Sequence, residues 1–499
     1  MKECTPAAAL LAIPPFSLLP VELLQRLWGP VCEIVRLICQ FRGFDSTPRL
    51  ACDFERRLYE LLREVGRVIV ECVYNDREPQ TRDSLPTQIR LAGVWYQRNG
   101  CKTANRKIAS LFGTITLNRF LYRPIEELVP AIFPLEIRLG LEQGRATAAL
   151  ADRLGRHAAQ CTQQQVLQIL LRDHGITWSV ALLRKVTAAV AQGMSVHRHE
   201  AQVAKLLELL QKAYASRGNR RPILAVGRDG IFTPIRKESC HREGAVATLS
   251  VLDRRGQRLG TVYLGRMPEE GQHTLSSQLT TLLQDVLRRW AGPLPRLVYV
   301  TDAGNHQTDY YKKVLRRMCD PHTPGRRLQW EWVLDYYHAC EYISKLAEAL
   351  FGEGRQAQAW AAKMRHWLKH KPRGIHRVLH SAAALRERRG LAGPAGAFNK
   401  AYRYLSRRIA YLDYHAYRKA HLPLGSGVTE ACCKTLFTQR MKQSGMSWNI
   451  DSGQAIIDLR VAYLSQTWET MFDAYLQCKD DETMRTQLKD HRRPHEKAA

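Results

Sequence analysis

Two apolar runs with the texture of strands, Ile223–Val226 and Leu297–Val300, each lead into an aspartate. The first continues as Gly227-Arg228-Asp229-Gly230 and the second as Thr301-Asp302-Ala303-Gly304. A third acidic segment, Gly425-Ser426-Gly427-Val428-Thr429-Glu430, opens a helix-like stretch. Strand ends are rigid platforms, so this pattern asks for an α/β sheet that brings distant carboxylates to one place. Carboxylates converging from separate elements are what two divalent cations acting on a phosphodiester require.

The charge balance narrows the partner. Lys and Arg number 75 against 47 Asp and Glu, a formal charge of +28. Such an excess serves a polyanion, and nucleic acid is expected ahead of an anionic membrane or a ribosome-like partner. At 499 residues and 45% apolar, the chain is long enough for several domains with real cores, and global disorder is not expected. The 13 cysteines have irregular spacing without a Cys-x-x-Cys pair, which predicts a reducing compartment. Cys319-Asp320-Pro321-His322 has ligand-like spacing but reads as structural. The apolar start, Ala7 to Leu19, contains Pro14-Pro15 and lacks a basic flank, so no signal peptide is expected. No apolar run approaches the roughly 20 residues of a membrane helix. A soluble cytoplasmic protein without a membrane partner is therefore expected.

Residues 1–85 read as a helical unit, with Leu50, Phe54, Leu58, Leu61, Val65 and Ile69 spaced for one long helix after Thr47-Pro48 and ended by Asn75-Asp76 and Pro79. Residues 86–135 read as a small β region, basic through Arg90, Arg98, Lys102, Arg106, Lys107, Arg119 and Arg123. A ribbon lying on DNA and a solvated charged face both account for it. Residues 136–200 turn helical. Thr162 is placed to cap a helix to Arg172, Gly175 to turn, and Thr177 to cap a second helix to Gln192, a helix-turn-helix outline that any small bundle also gives. Arg184 and Lys185 are its candidate DNA contacts. Gly193 to Glu200 reads as a linker.

Residues 216–344 are α/β in texture. Strand-like runs at 223–226, 231–235, 245–252 and 259–264 precede a helix at 275–290, then the strands 297–300 and 330–334 with a helix between. This order resembles an α/β ribonuclease-H-like fold. Residues 345–421 form an all-helical insertion, residues 422–475 return to the core with Glu430, and residues 476–499 read as a basic tail.

Each carboxylate has a local explanation. Arg228-Asp229-Gly230 suits a hairpin turn, Asp302 a cap for a helix starting near Asn305, and Glu430 a surface pair with Lys434. Their joint occurrence in one basic α/β region favours a site. Gly425 and Gly427 let backbone approach a phosphate, and Lys434, Arg440, Lys442 and Trp448 are candidate cations and a stacking ring for DNA. After the strand 330–334, Asp335 and His338 share a helical face, so His338 is a candidate to position a phosphate or a water, with Asp335 orienting it.

At these residues the chain resembles bacterial insertion-sequence DDE transposases of the ISKra type, with the Mutator-like group as wider relatives. The resemblance rests on Val226–Gly230, Tyr299–Ala303, Asp335-x-x-His338, Gly425–Glu430 and Arg440-Met441-Lys442-Gln443-Ser444-Gly445-Met446-Ser447-Trp448. It covers residues 221–465 best. It implies that Asp229, Asp302 and Glu430 bind two Mg²⁺ or Mn²⁺ ions and that Asp335 and His338 form an auxiliary motif. It also implies cleavage of double-stranded DNA at the element ends, attack of the freed 3'-hydroxyl on target DNA, and a homo-oligomer working beside the nucleoid. Relatives carry paired cysteines around the small sheet where this chain has only Cys101, so a zinc ion there is not expected. A nuclease of the same fold without strand transfer and an inert DNA-binding repressor remain the alternatives.

Overall fold

The computed structural model describes residues 19–484 and 487–489 apart from 44, 46, 79–83, 103–105, 127, 239, 391–395 and 444. The apolar start, Pro79 and the basic tail residues Arg492, Arg493 and Lys497 therefore lie outside the described residues. The chain divides into two units, residues 1–194 with 472–499 and residues 195–471.

In the first unit, α1 (Val21–Arg42) and α2 (Pro48–Asp76) form an antiparallel pair. Thr47 caps α2 by accepting from the Leu50 amide, and Phe41 stacks on Phe54 at 4.4 Å. Leu23, Val68 and Cys72 fill the seam. Strands β1 (Gln88–Leu91), β2 (Val94–Lys102), β3 (Arg106–Ser110), β4 (Gly113–Leu117) and β5 (Phe120–Pro124) follow. A β3–β4 hairpin stands beside a sheet of β1, β2 and β5. Glu71 of α2 accepts from the Thr116 amide at 2.8 Å and pairs with Arg26, tying helix to hairpin. One cation of the basic β region faces neither DNA nor solvent. Arg119 is 4% exposed, pairs with Glu136 at 2.5 Å and lies 3.9 Å over the Phe133 ring.

The helices α3 (Pro134–Arg138), α4 (Ala148–Gln160), α5 (Gln163–His174) and α6 (Val180–Ser195) follow. Thr162 and Gln165 form a reciprocal cap at the start of α5, and Gly175 turns the chain at φ 64°. The second helix starts later than expected, because Ser179 rather than Thr177 caps it, accepting from the Leu182 amide at 3.2 Å. It also extends into the expected linker, ending at Ser195, and after a two-residue turn the next helix begins at Arg198. Gly193 lies inside α6, where a Cβ would stand 2.3 Å from the Tyr475 ring, so the glycine serves close packing and does not end the helix. The expected 476–499 tail is structured at its start: a helix reaches Met484, and Gln487–Lys489 (β11) pairs antiparallel with β1.

The second unit begins with α7 (Arg198–Ala215). Its sheet contains β6 (Ile223–Pro234), β7 (His241–Leu252), β8 (Arg258–Arg266), β9 (Arg296–Thr301) and β10 (Trp330–Leu334) in the spatial order β10-β9-β6-β7-β8. The first three pair antiparallel, and β9 and β10 add parallel to them. Helix α8 (His273–Arg289) links β8 to β9, and α9 (Asn305–Lys313) lies between β9 and β10. The runs 223–226 and 231–235, expected as two strands, are one continuous strand, so Asp229-Gly230 is no turn: Asp229 sits in register with Val246 of β7. A mixed α/β unit results, its core running from β6 Leu224 and β7 Leu249 to α8 Leu279 and Leu283.

The all-helical segment follows β10 as α10 (Tyr336–Phe351), α11 (Arg355–His370), α12 (Gly374–Arg388), α13 (Gly396–Ser406) and α14 (Tyr414–Lys419). Its buried residues, among them Ile343, Met364, Val378 and Leu405, join the same core as the sheet. The chain then returns as α15 (Gly427–Cys432), which passes through a π-helical stretch, Cys433–Thr438, into Gln439–Met441. Helices α16 (Ile450–Leu464) and α17 (Trp468–Met484) complete the order.

Candidate active site

The parallel pairing of β6 and β9 builds the site's base. Its last pair is Gly227 with Val300, and two residues further along each chain stands an aspartate, Asp229 or Asp302. Side chains two apart on a strand share a face. The Gly227 face carries α15: a Cβ on Gly227 would stand 2.0 Å from Thr429 Oγ1, so only glycine lets the helix seat this deeply. Thr429 then bonds to Thr248 of β7 at 2.9 Å. The residue after Thr429 is Glu430, so the depth of this contact sets how close the glutamate lies to the aspartates.

The electrostatics at Asp229 register its burial and the other two carboxylates. Burial raises the Asp229 carboxyl to about 6, and the like charges of Asp302 and Glu430 push in the same direction. The Gly230 amide, 2.8 Å from Oδ1, and the Cys433 thiol, 3.5 Å from Oδ2, oppose the rise by favouring the ionised form. Asp302 does not start α9 as a side-chain cap. It accepts from the Gly304 amide at 3.0 Å across a turn in which Ala303 has φ 63°, a left-handed conformation costly for a residue with a Cβ. Tyr404 of the helical segment donates to the Asp302 carbonyl at 2.9 Å.

Asp335 is 1% exposed and anchors the loop before α15. Its Oδ1 accepts from the His338 amide at 2.8 Å, capping α10, while Oδ2 accepts from the Ser426 amide and, at 2.7 Å, from the Ser426 hydroxyl. The same hydroxyl stands 2.8 Å from Glu430 Oε1. One hydroxyl proton faces two carboxylates, so Ser426 serves one at a time. Asp335 thus orients the glutamate loop as well as its own helix. His338 packs edge-on against Tyr342 and Tyr404 and lies 3.4 Å from Glu341, so it reaches Asp302 through Tyr404.

The expected DNA contacts divide. Lys434 and Lys442 are exposed. Arg440 and Trp448 are not available as surface contacts: Arg440 is 0% exposed, its guanidinium 5.3 Å from the Trp448 ring. Trp448 is 7% exposed, donates its indole N–H to the Met441 carbonyl at 2.9 Å, and bridges to Ile235 just past β6. A cation–aromatic pair that reads as a DNA surface in sequence is here the pin that closes the helix onto the strand end. Arg184 and Lys185 are exposed in the first unit, with Arg184 bonded to Gln163 at 2.9 Å. His322 of the ligand-like Cys319/His322 pair is taken by the Leu287 carbonyl at 2.8 Å.

Ser426, Cys433 and Tyr404 escaped the sequence reading. Cys433 had a signal, since it lies three residues after Glu430 on one helix face. Tyr404 had none, because it arrives from the far end of the helical segment.

No protein-family model matches this chain, and no curated protein matches it. Among the described residues no helix is long and apolar enough to cross a membrane.

Proposed function

We propose that this chain is a DDE transposase, a ribonuclease-H-like polynucleotidyl transferase that cuts double-stranded DNA at the ends of an insertion sequence and joins the freed 3'-hydroxyl to target DNA. The observation that carries the reading is geometric: Asp229 and Asp302 each stand two residues past the last β6–β9 pair, and the Thr429 contact on Gly227 brings Glu430 to the same strand end. The sheet order, three antiparallel strands followed by two parallel ones, supports it.

The donor set suits hard divalent cations, being carboxylate oxygen throughout, and a cation would favour the ionised form of Asp229 that burial, and to a lesser degree the neighbouring carboxylates, disfavour. Among the described residues no group of three or more His, Cys, Asp or Glu side chains is drawn together closely enough to hold a metal ion, so the three carboxylates would have to close in when the ions bind. Asp229, Asp302 and Glu430 would hold two Mg²⁺ or Mn²⁺ ions. Bound there, the ions would supply activation of the attacking hydroxyl and stabilisation of the leaving oxygen. The protein's own part is positional. The β6–β9 pairing aligns two aspartates, Gly227 sets the height of α15, and Asp335 with Ser426 orients Glu430. Exposed Lys434 and Lys442 supply phosphate contacts, and copies of the chain work together on two DNA ends.

The test is Asp302→Asn with DNA carrying the gene's flanking ends. Mg²⁺-dependent cleavage should vanish while end binding persists, and full cleavage by the variant defeats the reading. Joining of pre-cut ends separates a transposase from a nuclease of the same fold.

A further inference from the structure

A groove of about 440 Å³ lies between α10 and α13, lined by Tyr342, Lys400, Arg403, Tyr404, Arg407 and Arg408, with no acidic residue in its lining. Lys400, Arg403 and Arg407 are exposed, and no described carboxylate pairs with them. Cations left without counter-charges on one helix face repel one another, a cost that an anionic ligand relieves.

The floor of the groove is rigid. Tyr342 and Tyr404 stack in parallel, centroids 3.7 Å apart with 2° between planes. Arg408 covers Tyr404 at 4.1 Å, and Lys345 lies 4.6 Å from the Tyr342 ring. The tyrosine rings are thus engaged by one another and by cations, which leaves charge rather than an open ring for a ligand. Phosphates fit this lining better than stacked bases do. The groove is also wired to the carboxylates, since the Tyr404 hydroxyl holds the Asp302 carbonyl at 2.9 Å.

We propose that this groove is a phosphate-backbone track for the DNA that runs past Asp302, with Arg403 and Arg407 each contacting one phosphate. It is separate from Lys434 and Lys442, and it gives the helical segment between Asp335 and Glu430 a binding task. The assignment rests on the polynucleotide reading of the site, but its test needs no cleavage.

The full-length protein is titrated with a fluorescent duplex of arbitrary sequence over a range of salt. Each phosphate contact on duplex DNA contributes about 0.9 to the slope of log affinity against log salt. Arg403→Gln/Arg407→Gln should lower that slope by about 1.8 and weaken binding to unrelated sequences alike. The control is Arg255→Gln/Arg258→Gln, which removes the same charge from two exposed arginines at the β7–β8 turn, the end of the sheet away from Asp229. An unchanged slope in the groove variant, or an equal fall in both variants, overturns the track. Failure of the wild-type chain to bind duplex DNA sinks the polynucleotide reading itself. Cleavage by Asp302→Asn together with a lowered slope for the groove variant would sink only the chemistry.

Discussion

Ser426 donates both its backbone amide and its hydroxyl to one oxygen of Asp335, across 91 positions of sequence. The strand end after β10 and the loop before α15 are therefore one structural unit. Asp335→Ala would strand buried donors at Ser426 and at the His338 amide. Hydrogen bonds to charged groups are worth about 1.5–3 kcal/mol each. A loss of about 3 kcal/mol in unfolding free energy is expected, read by chemical denaturation. Ser426→Ala should cost less, about 1 kcal/mol, while still reducing cleavage because Glu430 loses its orienting partner. A Ser426→Ala protein with full activity would remove that orienting role.

The raised Asp229 carboxyl predicts an unusual pH dependence for the metal-free protein. Its folded value, about 6, exceeds the ordinary 3.8. The proton-linked stability is then fully present below about 4 and is lost as pH rises through about 6. By about 1.4 kcal/mol per unit the effect approaches 3 kcal/mol at neutral pH. Asp229→Asn should flatten the curve of melting temperature against pH between 4 and 7 and raise stability at pH 7. Added Mg²⁺ should stabilise the wild type at pH 7 and leave Asp229→Asn much less affected.

Cys433 gives a separate handle on that carboxylate. Its thiol favours the ionised form of Asp229, so Cys433→Ala should move the pH midpoint upwards. The same thermal series measures it, and a downward shift would count against the assigned contact.

Gly227 tests how α15 is seated. A methyl group there meets Thr429 Oγ1 at 2.0 Å, and overpacking of this kind costs about 1–3 kcal/mol. Gly227→Ala should be destabilised and impaired in cleavage through displacement of Glu430. Thr429→Ala removes the offending oxygen, so the double variant should recover part of the loss, a coupling that a double-mutant cycle reads directly.

Sequence alone determined several of the elements and their order. The strand at 330–334 matches β10 residue for residue, and the long helix after Thr47-Pro48 and the helical stretch after Tyr336 stand where periodicity placed them. Periodicity and capping are local properties, so they survive translation into sequence. Sequence also isolated Asp229, Asp302 and Glu430, because each follows an apolar run or a glycine-rich start.

Only the tertiary structure decided what surrounds them. Asp229-Gly230 looks like a turn locally, yet pairing with β7 carries the strand through it to Pro234. Arg440 and Trp448 look like a DNA surface, yet they bury against each other. Tyr404 and Asp302 are 102 positions apart and share a hydrogen bond. Such contacts depend on which faces meet once the sheet has formed and the helices dock on it, and chain neighbours carry no record of that choice.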